Sequence, residues 1–318
     1  MNHVLLGSDF PLDLDRPFTY AMARAAGISR RSMAELVEHG LLRRLLRGVY
    51  AAAQAPDTQL LRAQAMQLVV PEGCIVTDES AGWLSGAAMI LRPGAHLEPP
   101  PLTIFAQAGT DHDRLRNGLV ASGTRHLLPR DITCVHGVLT TTPLRTAVDL
   151  GRLRHRDRAI AALDQLLRLG VFTLEELLAE IPRYRGMRGI RQFRFLAPLA
   201  DGRSESPGES ALRLRFKDAG LTTPEPQQNI YDARGRFIGR ADLLIKELLF
   251  VAEYNGEEWH DEEQEPHDAA RCKAMEDADH TVRVFTRHNV YGQHQDAIEI
   301  LNAGVYEARR NLSRRRYA

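Results

Sequence analysis

Near the N-terminus the apolar residues Phe18, Met22 and Ala25 recur at helical spacing, and Gly27-Ile28 interrupts them with a turn. Ser29 is a good N-cap, so the next pattern predicts a helix over Arg30–Glu38 that buries Met33, Leu36 and Val37. His39-Gly40 closes it as a C-cap. Residues 41–46 and 49–51 then read as two short strands around Arg47-Gly48. In the middle of the chain, 58–69 and 158–169 carry helical patterning, while 102–105 and 137–139 suit short strands. Further on, Ser206-Pro207-Gly208-Glu209 is a helix start, with Ser206 as cap and Pro207 in the first turn. Two apolar runs follow, Phe237–Ile245 and 248–254, separated by Lys246-Glu247 as in a hairpin. A helix over 266–278 and a strand over 281–285 complete the series.

A helix-turn-helix followed by a basic hairpin predicts a winged helix. Arg30 and Arg31 project from the first turn of the second helix, and Arg43, Arg44 and Arg47 cluster on the ribbon. Such a helix can lie in the major groove of double-stranded DNA while the wing contacts phosphates.

The later runs place carboxylates in an informative order: Glu209 on a helix, Asp242 in one strand, then Glu253 and Asn255 in the next. Side chains alternate along a strand, so Glu253 and Asn255 emerge on one side, and the hairpin brings Asp242 level with Glu253. Oxygen groups at that density suit Mg²⁺ or Mn²⁺, with Asp242, Glu253 and Glu209 as metal residues. Asp242 is flanked by apolar residues, where a carboxylate needs a partner such as Arg240 or a metal. Glu209 on its own reads first as the reaching residue of a capping box. Thr140 to Thr142, before Pro143, read as a helix cap rather than as nucleophiles, because no base lies nearby in sequence.

Two resemblances follow from these residues. The segment 18–53 resembles the N-terminal domain of AbiEi-type antitoxins, the winged-helix regulators of bacterial toxin-antitoxin operons. Val76-Thr77-Asp78-Glu79-Ser80-Ala81-Gly82-Trp83-Leu84-Ser85-Gly86 and the stretch from Val138 to Asp149 look like later parts of the same architecture. That resemblance implies a cognate toxin. About the last third of the chain, with Trp259-His260 after the Glu253 strand, resembles the Vsr-like branch of the PD-(D/E)XK endonucleases. It implies acidic roles for Glu209, Asp242 and Glu253, proton transfer by His260, and phosphate stabilisation by Arg271 or Lys273. Asn255 departs from the pattern, since it stands where a charge-stabilising Lys often sits. Two readings therefore stay open: a Mg²⁺- or Mn²⁺-dependent endonuclease, or a non-enzymatic regulator or antitoxin with a catalytically silent nuclease fold.

Composition changes this picture little. The chain has 318 residues, enough for two or three cores, and its 41 basic and 41 acidic residues cancel. The informative asymmetry is local, between the basic N-terminal segment and the acids from Glu257 to Glu265. Cys74, Cys134 and Cys272 are too dispersed for a disulfide framework or structural zinc, and His260, His267 and Cys272 match no strong zinc spacing. With no apolar run of membrane length and no signal peptide, the expectation is a cytoplasmic protein without membrane contact. The expected fold is a multidomain α+β chain: a winged helix over 1–56, an AbiEi-like α/β middle domain over 57–200, and a restriction-endonuclease-like α/β/α domain over 201–318. A homodimer is compatible with that plan.

Overall fold

A computed structural model describes residues 5–7, 9–71, 73–87, 102–107, 120–256, 265–292 and 295–316. The chain forms two compact units, Met1–Asp149 and Leu150–Ala318. The described residues carry three sheets in a mixed α and β architecture. Among them, no helix is long and apolar enough to cross a membrane.

The first unit begins with β1 (Phe18–Thr19), α1 (Tyr20–Ala25), α2 (Arg30–Glu38), β2 (Leu42–Leu46) and β3 (Val49–Ala52). Thr19 caps α1, and Ser29 caps α2 by accepting from the Ser32 amide at 3.0 Å. Gly27 and Gly40, both in the left-handed region, let the chain leave each helix sharply. The strands form a sheet in the order β1-β3-β2, in which β1 was not legible because it has only two residues. Phe18, Ala23, Ile28, Met33 and Leu42 make the core beneath both helices.

The same unit continues with α3 (Gln59–Gln67), β4 (Cys74–Val76), α4 (Asp78–Leu84), β5 (Leu102–Gln107), β6 (Val120–Arg125), β7 (Ile132–Val135) and β8 (Val138–Thr141). Their sheet has the order β6-β5-β4-β8-β7, parallel at the β5/β6 and β4/β8 pairs and antiparallel elsewhere. A chain of ion pairs runs through it: Asp78 to Arg125 (2.8 Å), Arg125 to Asp149 (3.0 Å), Asp149 to Arg145 (2.8 Å) and Arg145 to Asp131 (2.6 Å). Each buried carboxylate thereby faces a guanidinium, which is the condition for keeping such charges away from water. The boundary between units falls within α5 (Pro143–Leu153), which starts where Thr142 accepts a hydrogen bond from the Arg145 amide.

The second unit holds α6 (Arg156–Leu167), α7 (Leu174–Ala179), α8 (Ile190–Leu196) and α9 (Pro207–Asp218). It then builds a sheet from β9 (Glu225–Tyr231), β10 (Phe237–Ile245), β11 (Phe250–Asn255) and β12 (Thr281–Thr286). Helix α10 (Glu265–Asp277) connects β11 to β12, and α11 (Arg287–Val290) and α12 (Ala297–Arg316) follow. The sheet order is β12-β11-β10-β9, a meander of three antiparallel strands with β12 added parallel to β11. Alternation gives it two apolar faces. Leu243, Ile245, Phe250 and Phe285 pack with Leu212, Phe216, Leu301 and Val305 of α9 and α12. Leu244, Val251 and Val282 pack with Met275 of α10 on the other side. β11 starts at Phe250 rather than at 248, because Lys246–Leu248 makes a helical turn and Leu249 adopts a left-handed φ of 50°.

The polar segment 201–208 is held down by its surroundings. The Asp201 amide donates to buried Asp164 on α6, whose other oxygen pairs with Arg213 on α9. Arg215 of α9 pairs with Asp157 of α6 at 2.6 Å. Helices α6 and α9 therefore share one polar seam.

Candidate functional site

Two places carry candidate chemistry, one in each unit. In the first unit the five expected arginines do not act alike. Arg30, Arg44 and Arg47 are exposed, and the Arg44 guanidinium lies 6.0 Å from the Tyr50 ring centre. Arg31 is exposed but forms a 2.8 Å pair with Glu35 one turn later. Arg43 is turned inward: its Nη2 donates to the Ala55 carbonyl at 2.6 Å, and its charge adds to the Arg62 hydrogen bonds that chiefly hold the Asp57 carboxyl below the usual range. Strand alternation sends Arg43 and Arg44 to opposite sides of β2, so one braces the chain and the other faces solvent.

In the second unit, α9 and the β9-β10-β11 meander bring Glu209, Asp242 and Glu253 together. The pairing Leu243↔Ala252 continues outward to Asp242 opposite Glu253. The Asp242 amide donates to Glu253 Oε1 at 3.3 Å, and the Tyr254 amide donates to Asp242 Oδ2 at 2.8 Å. Glu209 on α9 caps its own helix entrance by accepting from the Glu205 amide at 2.9 Å, one residue further back than a capping box requires. Two glycines permit this closeness. A Cβ on Gly208 would stand 1.9 Å from the Tyr254 ring, and one on Gly239 would stand 3.1 Å from the Arg271 side chain.

Sequence reasoning missed the residue that links the acids. Gln227 Nε2 donates to Glu209 Oε2 at 2.8 Å and lies 3.4 Å from Asp242 Oδ1. Its backbone takes φ 54° inside β9, an unusual conformation for a non-glycine strand residue. Its Oε1 is buried and accepts no hydrogen bond among the described residues. The only signal in the sequence was a polar pair, Gln227-Gln228, between Pro226 and Asn229.

Burial and then the charge of Glu253 push the Asp242 carboxyl from its ordinary 3.8 up to about 6. Burial and then Asp242 push Glu209 upward as well. Arg271 of α10 pairs with Glu253 Oε2 at 2.9 Å and donates to the Arg240 carbonyl. The Arg240 side chain itself reaches Glu205 at 2.6 Å, so it is not the partner that Asp242 needed. Lys273 is exposed and, among the described residues, makes no ion pair with these carboxylates. Asn255 is half-buried at the end of β11. His260 lies outside the described residues.

The donor set does not fit a resident Mg²⁺ or Mn²⁺ ion. The guanidinium of Arg271 occupies one face of Glu253, and the Gln227 amide hydrogens point into the space between Glu209 and Asp242. Among the described residues, no group of three or more His, Cys, Asp or Glu is arranged to hold a metal. The cluster is instead a buried set of acids in which Glu209 and Asp242, both shifted upward, accept from N–H donors, while Glu253 Oε2 faces the Arg271 guanidinium.

Comparison with known proteins bears on both units. Residues 12–53 match the family described as "Transcriptional regulator, AbiEi antitoxin", and residues 72–199 match the "AbiEi antitoxin C-terminal domain". An uncharacterized protein of Mycobacterium tuberculosis, Rv2248 in strain H37Rv and MT2308 in strain CDC 1551, is 33% identical over 241 residues. That alignment spans 73% of this chain and 80% of the relative. The crystal structure of the Rv2827c protein from the same organism aligns with 68% of this chain and 83% of its own at 13% identity. The TM-score of that alignment is 0.31.

Proposed function

Because this chain belongs to the AbiEi antitoxin family, we propose that it is a DNA-binding transcriptional regulator and the antitoxin partner of a cognate toxin. In this reading residues 18–53 act as a winged helix on double-stranded DNA. The observation that carries it is one compact module in which a Ser-capped α2 follows a tight turn, with Arg30 exposed at the start of α2 and Arg44 and Arg47 exposed on the β2-β3 ribbon. The N-terminal turn of α2 enters the major groove, and Arg44 and Arg47 on the β2-β3 ribbon hold phosphates that fix its register. Arg43 keeps the ribbon attached to the residues that follow, a bracing role rather than a DNA contact.

The sheet of the second unit serves this regulator as a catalytically silent endonuclease-like fold. Support comes from the order of α9, three antiparallel strands, α10 and a parallel β12, combined with an amide and a guanidinium where a metal would need oxygen. A hydrolytic reading needs a cation to activate water and to spread charge in the transition state, and these side chains do not assemble a place for one.

The experiment is a footprint on the DNA upstream of the gene, using the full chain. Wild type is expected to protect a discrete site. The triple variant Arg30→Ala, Arg44→Ala, Arg47→Ala is expected to lose that protection while keeping its thermal transition. If wild type protects no duplex at low salt, the regulator reading is wrong.

A further inference from the structure

We propose that β9, the free edge of the second unit's sheet, is a self-association surface that pairs antiparallel with β9 of a second copy of this chain. The inference stands on that edge and does not rest on the DNA-binding reading above.

A sheet edge carries backbone N–H and C=O groups with no ladder partner, and folded proteins blunt such edges with charge, proline, irregular backbone or a covering element. The two edges of this sheet differ in that respect. At β12, side chains of α12 reach the strand: Glu307 pairs with Arg283, and the Asn311 amide donates to the Thr281 hydroxyl at 3.4 Å. β9 pairs with β10 alone among the described strands. Its first half is blunted by Pro226, which has no amide hydrogen, and by Gln227 at φ 54°. Its second half is not: no charged residue occurs from 226 to 231, and Asn229 and Tyr231 are exposed.

The backbone of that half is oriented for pairing. The Asp232 amide donates to the Arg236 carbonyl at 2.9 Å, so Asp232 faces β10. Antiparallel alternation then turns the backbone groups of Ile230 inward and those of Asn229 and Tyr231 outward. The turn that follows is held in place, because Asp232 accepts from the Arg234 and Arg236 amides and pairs with the Arg236 guanidinium at 2.7 Å. Beside the open amides, Tyr231 and Phe237 form an edge-to-face pair with ring centres 5.9 Å apart. They are 52% and 60% exposed, so each ring has apolar surface left to cover.

Charge selects the occupant. Antiparallel pairing of a strand with its own copy about a two-fold axis lays each end of the strand against the opposite end of the other. Glu225 is exposed at one end of β9, and Arg234 is exposed just beyond the other. Arg234 makes no ion pair among the described residues. The cation that senses Glu225, Arg203, is already paired with Asp201 at 2.7 Å. An axis through Ile230 sets Asn229 opposite Tyr231 of the second copy and brings Arg234 beside Glu225 of the second copy, each contact occurring twice. It also leaves Pro226 and Gln227 out of the new ladder. Opposite charges at the two ends with none between them are what a self-complementary edge requires, whereas a foreign strand imposes no such pattern. In a regulator the dimer would offer two DNA-binding modules, as paired half-sites require.

The test is the oligomeric state of the full chain by sedimentation velocity across roughly 1 to 100 μM, where a modest interface dissociates. The mass of wild type is expected to rise toward twice that of the monomer. Asn229→Pro removes an outward amide while sparing the ladder to β10, and Arg234→Glu sets like charges together at both ends of the paired strands. Each is expected to raise the dimer dissociation constant roughly tenfold or more, with an unchanged thermal transition. Arg234→Glu with Glu225→Arg restores opposite charges and is expected to recover wild-type dimerisation, a rescue that damaged folding does not give. Wild type that stays monomeric throughout overturns the proposal and leaves the regulator reading standing. So does a wild-type dimer that neither variant weakens, since its contact then lies on another surface. If Asn229→Pro lowers the thermal transition, the charge exchange decides, and its failure to rescue overturns the end-to-end pairing.

Discussion

Asp242 is where a single residue makes a measurable claim. Its carboxyl holds a proton up to about pH 6, against 3.8 in its ordinary state, chiefly because burial disfavours the charge. Between those values the folded chain binds more protons than the unfolded chain, so stability falls as pH rises through that window. Asp242→Asn keeps an acceptor for the Tyr254 amide and removes the charge. It is expected to raise stability at neutral pH by about 1 to 3 kcal/mol and to flatten the stability profile between pH 4 and 6. Chemical denaturation at several pH values measures this, and an unchanged profile would show that Asp242 is ionised normally. Gln227 is the complementary test. Gln227→Ala removes the donor shared by Glu209 and Asp242, and is expected to cost about 1 to 3 kcal/mol near neutral pH, less at low pH where the acids are protonated. An equal cost at both pH values would assign the loss to packing alone.

At the scale of elements, the N-terminal helix and the α9 entrance show how local rules and close approach differ in consequence. Ser29→Ala removes the side-chain acceptor for the Ser32 amide and is expected to cost about 1 kcal/mol, a modest loss that thermal melting detects. Gly208→Ala is expected to cost more, on the order of 3 kcal/mol, because its Cβ would overlap the Tyr254 ring where α9 meets β11. Removing that ring should then relieve the conflict, so Gly208→Ala with Tyr254→Ala is expected to be far less destabilised than the sum of the single variants. Additive losses would mean that the two elements do not approach as closely as described.

For the whole molecule, the choice between a nuclease and a regulator turns on whether the carboxylate cluster can host a metal. With the Gln227 amide and Arg271 guanidinium facing the acids, Mg²⁺ or Mn²⁺ at millimolar levels is expected to leave the thermal transition unmoved, since no ligand binds the folded state preferentially. Wild type and Glu253→Ala, purified identically, are expected to show the same background nicking of plasmid DNA in Mn²⁺. Nicking by wild type that Glu253→Ala abolishes would overturn the silent-fold proposal, because removing a true metal ligand lowers the rate by orders of magnitude.

Sequence alone determined the elements whose cause is local. The cap at Ser29, the helix Arg30–Glu38, the strands on either side of Arg47-Gly48 and the hairpin that sets Asp242 beside Glu253 follow from periodicity, capping and turn chemistry within a few residues. Tertiary structure decided which side chains were already engaged. That Arg43 serves the Ala55 carbonyl, that Arg271 rather than Arg240 reaches the acids, and that Gln227 stands between Glu209 and Asp242 depend on groups that meet across 12 to 31 residues of chain. The same holds for Asp78, Arg125, Asp149, Arg145 and Asp131, which read in sequence as scattered charges and in the fold as one buried chain. A charged residue's type fixes what it can bind. What it does bind is set by which opposite charge the packing brings within about 3 Å, and burial makes that pairing obligatory.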